Sequence, residues 1–259
     1  MSLLKSRIVP VAALTATDHE QMFAVFGQYY DNVAIDRFLA DLGAKDDVIL
    51  LIDRADRIQG FSTMKNLDVE VDGERVYGLF SGDTVVAREH WGQRVLGRAF
   101  LRYLFVQSAK RPLTPFYWFL ISKGYKTYLL MANNFPEHFP RFERAMSPRD
   151  KAILDAFGTT MYPGDYDAAT GLIAFDESHG NLRHGVAAIT SELKAKNPRV
   201  AFFAEKNPTW SDGTELACIA KMTWSMPLRY ALKARMKKAV HSESRVRAAA
   251  PAYARDGGE

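Results

Sequence analysis

Two strand-like runs, Ile58–Val71 and Arg75–Ala87, flank the dipeptide Asp72-Gly73. An Asp-Gly pair between such runs is a strong signal for a tight turn, so the two segments pair as an antiparallel hairpin. The second run does not stop at a loop. The stretch Gly78–Leu104, GLFSGDTVVAREHWGQRVLGRAFLRYL, carries it through a glycine-bearing turn into a helix that opens with basic residues. Another strand, Thr114–Ile121, follows beyond Pro112. A hairpin followed by a strand–helix–strand crossover implies a mixed α/β sheet, mostly antiparallel, with helices on both faces.

The flanking segments fit that frame. Ile8–Leu14 reads as a first strand, and Thr17-Asp18-His19-Glu20 as a capping box opening a helix to about Tyr30. Val33–Leu42 has helical apolar spacing and is stopped by Gly43, and Val48–Asp53 is a buried strand. Leu96, Ala99, Phe100, Tyr103 and Leu104 give the helix Val95–Ser108, and Tyr125–Ala132 is a short helix. Phe135–Pro148 reads as irregular, Pro148–Phe157 as helical, Thr159–Thr170 as loop and His184–Lys196 as helical. Arg199–Glu205 and Glu215–Trp224 read as two closing strands. This organisation predicts one domain over 1–226 with an insert at about 136–196, then a basic helix and a disordered tail over 227–259.

Composition bounds the function. With 47% hydrophobic and 25% charged residues the chain has the make-up of a globular domain. No apolar run approaches the ~20 residues of a membrane span, and the first residues lack the pattern of a signal peptide. The one cysteine, Cys218, excludes an internal disulfide framework and points to a reduced, cytoplasmic setting. A net charge of +4 is mild and partly local to Arg229–Arg247, so nucleic acid is not the expected partner. That basic segment reads as a solvated helix or a docking tail. His179 and His184 lack the i, i+4 spacing of a helical metal pair, and no metal is expected. No Gly-Lys-Ser/Thr follows Gly78-x-x-x-Gly82 and no Gly-x-Ser-x-Gly occurs, which argues against a P-loop and an α/β-hydrolase. A positive possibility remains at the start of the Val95 helix. A helix N-terminus offers free N–H groups and a positive dipole end to an anion, and Arg94 and Arg98 stand there.

The segment TVVAREHWGQRVLGRAF resembles the strand-to-helix motif of the GNAT acyltransferase superfamily, in which an apolar strand enters an Arg-Gly-Gln-Gly-x-Gly loop. Val85 and Val86 match the strand end, Glu89 a frequent acid before the loop, Gly92-Gln93 the Gly-Gln pair, and Gly97-Arg98-Ala99 the helix opening. Trp91 stands in place of an Arg, Arg94 in place of a loop glycine, and one extra residue precedes Gly97. The order of elements is also the GNAT order. The resemblance implies an acyl-CoA co-substrate, usually acetyl-CoA, and the primary amine of a small molecule as acceptor. It places the pyrophosphate on Gln93, Arg94, Val95, Leu96, Gly97 and Arg98, and the thioester along the strand end at Val85 and Val86, where a backbone N–H can face the developing oxyanion. It also implies an acid on the helix after the fifth strand. Tyr128 fits that position, with a packing tyrosine as the alternative. Asp83 is the candidate base, with a strand-edge carboxylate as the alternative.

Two further readings stay open. The aromatic strand Phe116–Phe119 and the basic residues Arg94, Arg98, Lys110, Arg111, Lys123 and Lys126 also suit a long acyl chain delivered by an acidic acyl carrier protein. A non-catalytic GNAT-fold binding protein is the other, since Trp91 and Arg94 depart from the motif. The sequence leaves the oligomeric state open, a homodimer included.

Overall fold

The computed structural model describes residues 3–31, 34–175, 181, 182, 189–223, 225, 226 and 230. Residues 1–222 form one compact unit and 223–259 a second. The basic segment expected over 227–259 lies, Tyr230 apart, outside the described residues, as do His179 and His184. The first unit runs β1 (Lys5–Pro10), α1 (Ala16–Phe26), β2 (Tyr30–Asp31), α2 (Ile35–Gly43), β3 (Asp47–Ile52), β4 (Ile58–Val71), β5 (Glu74–Val86), α3 (Val95–Ala109), β6 (Phe116–Ser122) and α4 (Tyr125–Asn134). It continues with β7 (His138–Phe139), α5 (Pro148–Met161), β8 (Tyr166–Asp167), β9 (Leu172–Ile173), β10 (Asn181–Leu182), α6 (Ser191–Lys196), α7 (Pro198–Lys206) and β11 (Glu215–Lys221). Among the described residues no helix is long and apolar enough to cross a membrane.

The main sheet has the order β1-β3-β4-β5-β6-β11-β9-β8, with β7 also on β11, and β2 pairs β10 in a small second sheet. The β5–β6 pair is parallel and the other pairs are antiparallel. Asp72 and Gly73 both have positive φ, 53° and 74°, as a two-residue primed turn requires. Alternation along β3 assigns the faces. Val48, Leu50 and Ile52 meet Met22, Val25 and Phe26 of α1 and Phe38 and Leu42 of α2, whereas Leu51 meets Val95 of α3. Along β6, Tyr117 and Phe119 join the cluster of Ile153, Leu154 and Phe157 from α5, while Trp118 packs on Phe100 of α3 and on Phe135. Helices α1, α2 and α5 therefore cover one face and α3 the other. The fold is the mixed, mostly antiparallel α/β sheet with helices on both faces that the sequence implies.

Three sequence expectations are corrected. The first helix starts two residues earlier, because Thr15 and Asp18 form the reciprocal cap: the Asp18 N–H donates to Thr15 Oγ1 at 3.1 Å and the Thr15 N–H to Asp18 Oδ2 at 3.0 Å. Of the helix expected over His184–Lys196, residues 184–188 lie outside the described residues, and the described part begins at Ser191, behind the N-cap Thr190. Arg199–Glu205, read as a strand, lies in helix α7. Asn197 caps it, Pro198 occupies its first turn, and the buried residues Val200 and Phe203 have helical spacing. β11 is thus the one strand formed by the two segments expected to close the sheet, and the two-residue strands β9 and β8 lie beyond it. Within 136–196, α5 contributes Ile153, Leu154 and Phe157 to the main core.

Gly78 of β5 is the seat of Phe157. A β-carbon there would stand 2.6 Å from the phenyl Cζ, so the ring and an alanine cannot share the space. Overpacking of that kind costs about 1–3 kcal/mol, or about 2–10 °C in a domain of this size. Gly78→Ala should lower the melting temperature by that amount, and Gly78→Ala/Phe157→Leu should recover part of it. An unchanged melting temperature in the single variant would show that Phe157 does not occupy this seat.

Candidate functional site

Strands β5 and β6 pair only from Tyr77↔Phe116 to Phe80↔Phe119. Beyond that point β5 stays on β4 as far as Val86, and β6 stays on β11 as far as Ser122. A bulge in the β4–β5 ladder between Ser62 and Met64 bends β5, and the two strands part. A cavity of about 710 Å³ opens in the wedge between them. The indole N–H of Trp118 on β6 donates to Ser81 Oγ on β5 at 2.8 Å, a last link at the base of the wedge.

The edge of β5 that faces the wedge has no strand partner there. The Ala87 N–H donates to the Gln59 carbonyl of the β4 side at 2.8 Å, which sets the alternation. Val85 then turns its main-chain groups to β4, and Thr84 and Val86 turn theirs to the wedge. The Val86 carbonyl does point that way, accepting from Tyr29 Oη and from Trp91 Nε1, each at 2.7 Å. Its N–H shares the direction. Trp91, which is 55% exposed, stacks on Tyr29 at a centroid distance of 6.0 Å and forms the lip of the wedge.

The loop into α3 turns at Gly92, whose φ of 84° favours glycine. Arg94 is the N-cap and makes no side-chain capping bond, and the first turn of α3 holds no acidic residue. The Arg98 N–H closes on the Arg94 carbonyl at 3.1 Å. The N–H groups of Val95, Leu96 and Gly97 precede that first bond and belong to the orphan donors of a helix start. Among the described residues, and apart from its chain neighbours and its own helix backbone, no heavy atom lies within 4 Å of where a Gly97 β-carbon would be.

Of the residues singled out from sequence, Asp83, Val85, Val86, Gln93, Leu96 and Gly97 line the cavity. The Gln93 side chain is engaged in the scaffold, its Oε1 accepting from the Leu4 N–H at 3.2 Å. Val95 packs with Leu4 and Leu51. Arg94 is exposed at the N-cap, and Arg98 is exposed in a separate shallow depression with Lys5, Ser6 and Arg102. Neither guanidinium belongs to the cavity lining. Tyr128 is a correction. Its ring is buried between His138, Phe202 and Phe203, its hydroxyl donates to the Pro140 carbonyl at 3.1 Å, and it does not line the cavity. The turn of α4 that carries it faces α7, whose residues the sequence pattern assigns to a strand.

Glu215 was missed. It is the first residue of β11, and the register Leu216↔Ser122 sets it beside Lys123, whose Nζ is 4.0 Å away. Reading Arg199–Glu205 as a strand hid this, because the position of the closing strand was then undefined. Glu215 and Asp83 both line the cavity. Burial pushes Glu215 up to about 7, against the pull of Lys123 and with a further push from Asp83. Burial also raises Asp83, with Lys45 pulling it back and Asp41 pushing it up. Two carboxyl groups in one desolvated pocket resist ionising together.

No protein-family model matches the sequence, and no curated protein does. Solved structures similar to parts of the chain include the GNAT family N-acetyltransferase YhbS of Escherichia coli in complex with CoA, at 12% identity and a TM-score of 0.38 over 52% of this chain and 69% of that one. An acetyltransferase of Trypanosoma brucei is 17% identical, with a TM-score of 0.37 over 56% and 97% of the two chains. Escherichia coli ElaA is 13% identical, with a TM-score of 0.34 over 56% and 93%.

The Glu215 carboxyl holds its proton more tightly folded than unfolded. That contribution to stability is complete below its ordinary value of 4.5 and is lost as pH rises through about 7. The full shift is worth about 3 kcal/mol. Glu215→Gln should therefore melt above the wild type at pH 8, and the gap should close toward pH 5. A gap independent of pH would mean that Glu215 is ionised without cost.

Proposed function

We propose that the chain is an acyltransferase that moves an acyl group from a CoA thioester, acetyl-CoA in the simplest case, to the primary amine of a small molecule. The observation that carries this is the parting of β5 and β6. It puts an unpartnered strand edge, a helix start with no capping group and a pair of proton-retaining carboxyls around one cavity. The pyrophosphate takes the N–H groups of Val95, Leu96 and Gly97, where the space over Gly97 admits it. Arg94 and Arg98 meet the outer phosphates from solvent. The thioester lies along the edge of β5, and the Val86 N–H receives the developing oxyanion.

The chemistry needs one proton removed from the ammonium and one delivered to the leaving sulfur. Glu215, titrating near neutrality, takes the first. The amine nitrogen then bonds to the carbonyl carbon, the C–S bond breaks and the thiolate leaves. The Asp83–Glu215 pair passes a proton to the sulfur, so that amide, CoA thiol and one released proton balance the reaction. The small-molecule acceptor enters past α1 and α2. The cavity volume favours a second donor reading, a long acyl chain from CoA or acyl carrier protein, with the exposed Arg94 and Arg98 left for an acidic surface.

Gly97→Asp tests the donor site. The carboxylate adds an anion to the first turn of α3, which stabilises a helix by about 0.3–1 kcal/mol, and it meets no steric obstacle. The variant should melt slightly higher than wild type yet show at least about a tenfold weaker CoA affinity by calorimetry, a loss of 1.4 kcal/mol or more. Unchanged affinity would remove CoA from this helix end.

Catalysis gives a second check. With acetyl-CoA or decanoyl-CoA as donor, kcat/KM should rise with pH through about 7, the value of Glu215, and Glu215→Gln should remove that limb and slow turnover about 10²–10⁴-fold. Turnover that climbs with acyl length would select the long-chain donor. A pH profile that survives Glu215→Gln would sink the assignment of the base.

A further inference from the structure

The cavity wall formed by α2 and the residues after it holds a cation without a carboxylate. Lys45 is half-buried and lines the cavity. Its Nζ donates to the Asp41 backbone carbonyl at 3.0 Å and stands 5.9 Å from the Phe80 ring centroid. Two other cations that line the cavity stand by carboxylates, Arg37 with Asp41 at 3.4 Å and Lys123 with Glu215 at 4.0 Å. Among the described residues no carboxylate comes within 4.0 Å of Lys45 Nζ. Gly82 admits it: a β-carbon there would lie 3.2 Å from Lys45 Cε and 2.6 Å from Thr63 Oγ1.

The same compartment contains Asp83 and Glu215, and the rings of Tyr30 and Tyr162 line it. Burial, with Asp83 and Glu215 nearby, pushes both phenols up, so each keeps its O–H at neutral pH. Among the described residues neither hydroxyl has a protein partner. Phe26 and Phe38, 5.2 Å apart, supply an apolar wall. A half-buried ammonium beside apolar rings is stabilised further by an ionised acceptor, and beyond the neutral Asp41 carbonyl the described residues bring no carboxylate into contact with it.

We propose that the acceptor is an amino acid with an apolar side chain, its carboxylate on Lys45, its ammonium toward Asp83 and Glu215, and its side chain against Phe26 and Phe38. The proposal rests on the acyl-transfer reading for the reaction but not for the binding. A ligand that lacks the carboxylate leaves Lys45 unpaired, which is the kind of polar mismatch that discriminates strongly.

The test compares L-phenylalanine, L-phenylalaninamide and phenethylamine in wild type, Lys45→Met and Lys45→Arg, with acetyl-CoA and decanoyl-CoA as donors. In wild type, kcat/KM should favour L-phenylalanine over the other two by at least about tenfold. Lys45→Met should bring the ratio close to one, and Lys45→Arg should restore part of it. L-phenylalanine alone should raise the melting temperature of wild type and not of Lys45→Met, whose own melting curve reports that it is folded. No turnover with any donor, together with Lys45-dependent binding of phenylalanine, would overturn the acyl-transfer reading and leave this site standing. Turnover with no preference for the carboxylate, or a preference that Lys45→Met leaves intact, would overturn the amino-acid acceptor alone. Neither turnover nor phenylalanine binding would overturn it as well.

Discussion

The packing of Phe80 on Phe119, with ring centroids 5.6 Å apart, marks where the sheet stops being continuous. Phe157 of α5 closes over Phe119 at 5.8 Å and fills the gap left by Gly78. These rings are buried, and they pin β5 to β6 at the last register pair they share. Past that clamp each strand follows its outer neighbour. A parallel pair without such an anchor would slide or separate along its length. With it, the strands separate from one defined residue onward, and the wedge has a fixed base. Helix α5, which supplies Phe157, lies in the segment that the sequence marks as an insert. The added residues therefore hold the site open from beneath rather than decorate it.

A wedge lined by rings is a poor place for charge, and that sets its chemistry. Asp83 and Glu215 are carried into it by β5 and β11 beside the rings of Tyr30, Phe80 and Tyr162, so they cannot avoid desolvation. The protein provides Lys123 for one and Lys45 near the other, but not the close bidentate pairing that would hold carboxylates ionised. The outcome is that Glu215 holds or releases its proton near neutrality, with Asp83 raised beside it, which is the condition under which a carboxyl can serve both halves of a transfer to an amine. The tyrosine expected to serve as the acid is better used elsewhere: Tyr128 joins α4 to α7 and to the Pro140 carbonyl.

Much of the architecture is legible in the sequence because local chemistry dictates it. Asp72-Gly73 sets the hairpin, Gly92 sets the turn into α3, and the apolar spacing from Leu96 to Leu104 sets the helix. Those three features bring Val85, Val86, Leu96 and Gly97 to one place, since a strand and the helix that follows it are covalently aligned. Legibility fails where position depends on distant partners. Asn197-Pro198 is a readable helix start, but the continuous apolar run Val200–Phe203 also suits a buried strand, and burial of Phe203 against Tyr128 decides between them. Glu215 belongs to the site only because β11 inserts next to β6, a pairing between segments far apart in the chain. Its role was not written in its neighbours.

Trp91 shows how a departure from a motif can be read physically. Its indole N–H and the Tyr29 hydroxyl together saturate the Val86 carbonyl, so the outermost acceptor of the open edge is already used. A donor lying along β5 then finds the Val86 N–H free of competition from a carbonyl partner but cannot place an amide N–H of its own on that residue. The same indole, stacked on Tyr29 of the α1 side, ties the loop before α3 to the helix layer on the opposite face. Arginine at this position would offer charge to a phosphate; tryptophan offers rigidity to the lip of the wedge. Under the proposed function, charge for the phosphates would be left to Arg94 and to the helix end itself, where no acidic side chain in the first turn competes for the same N–H groups.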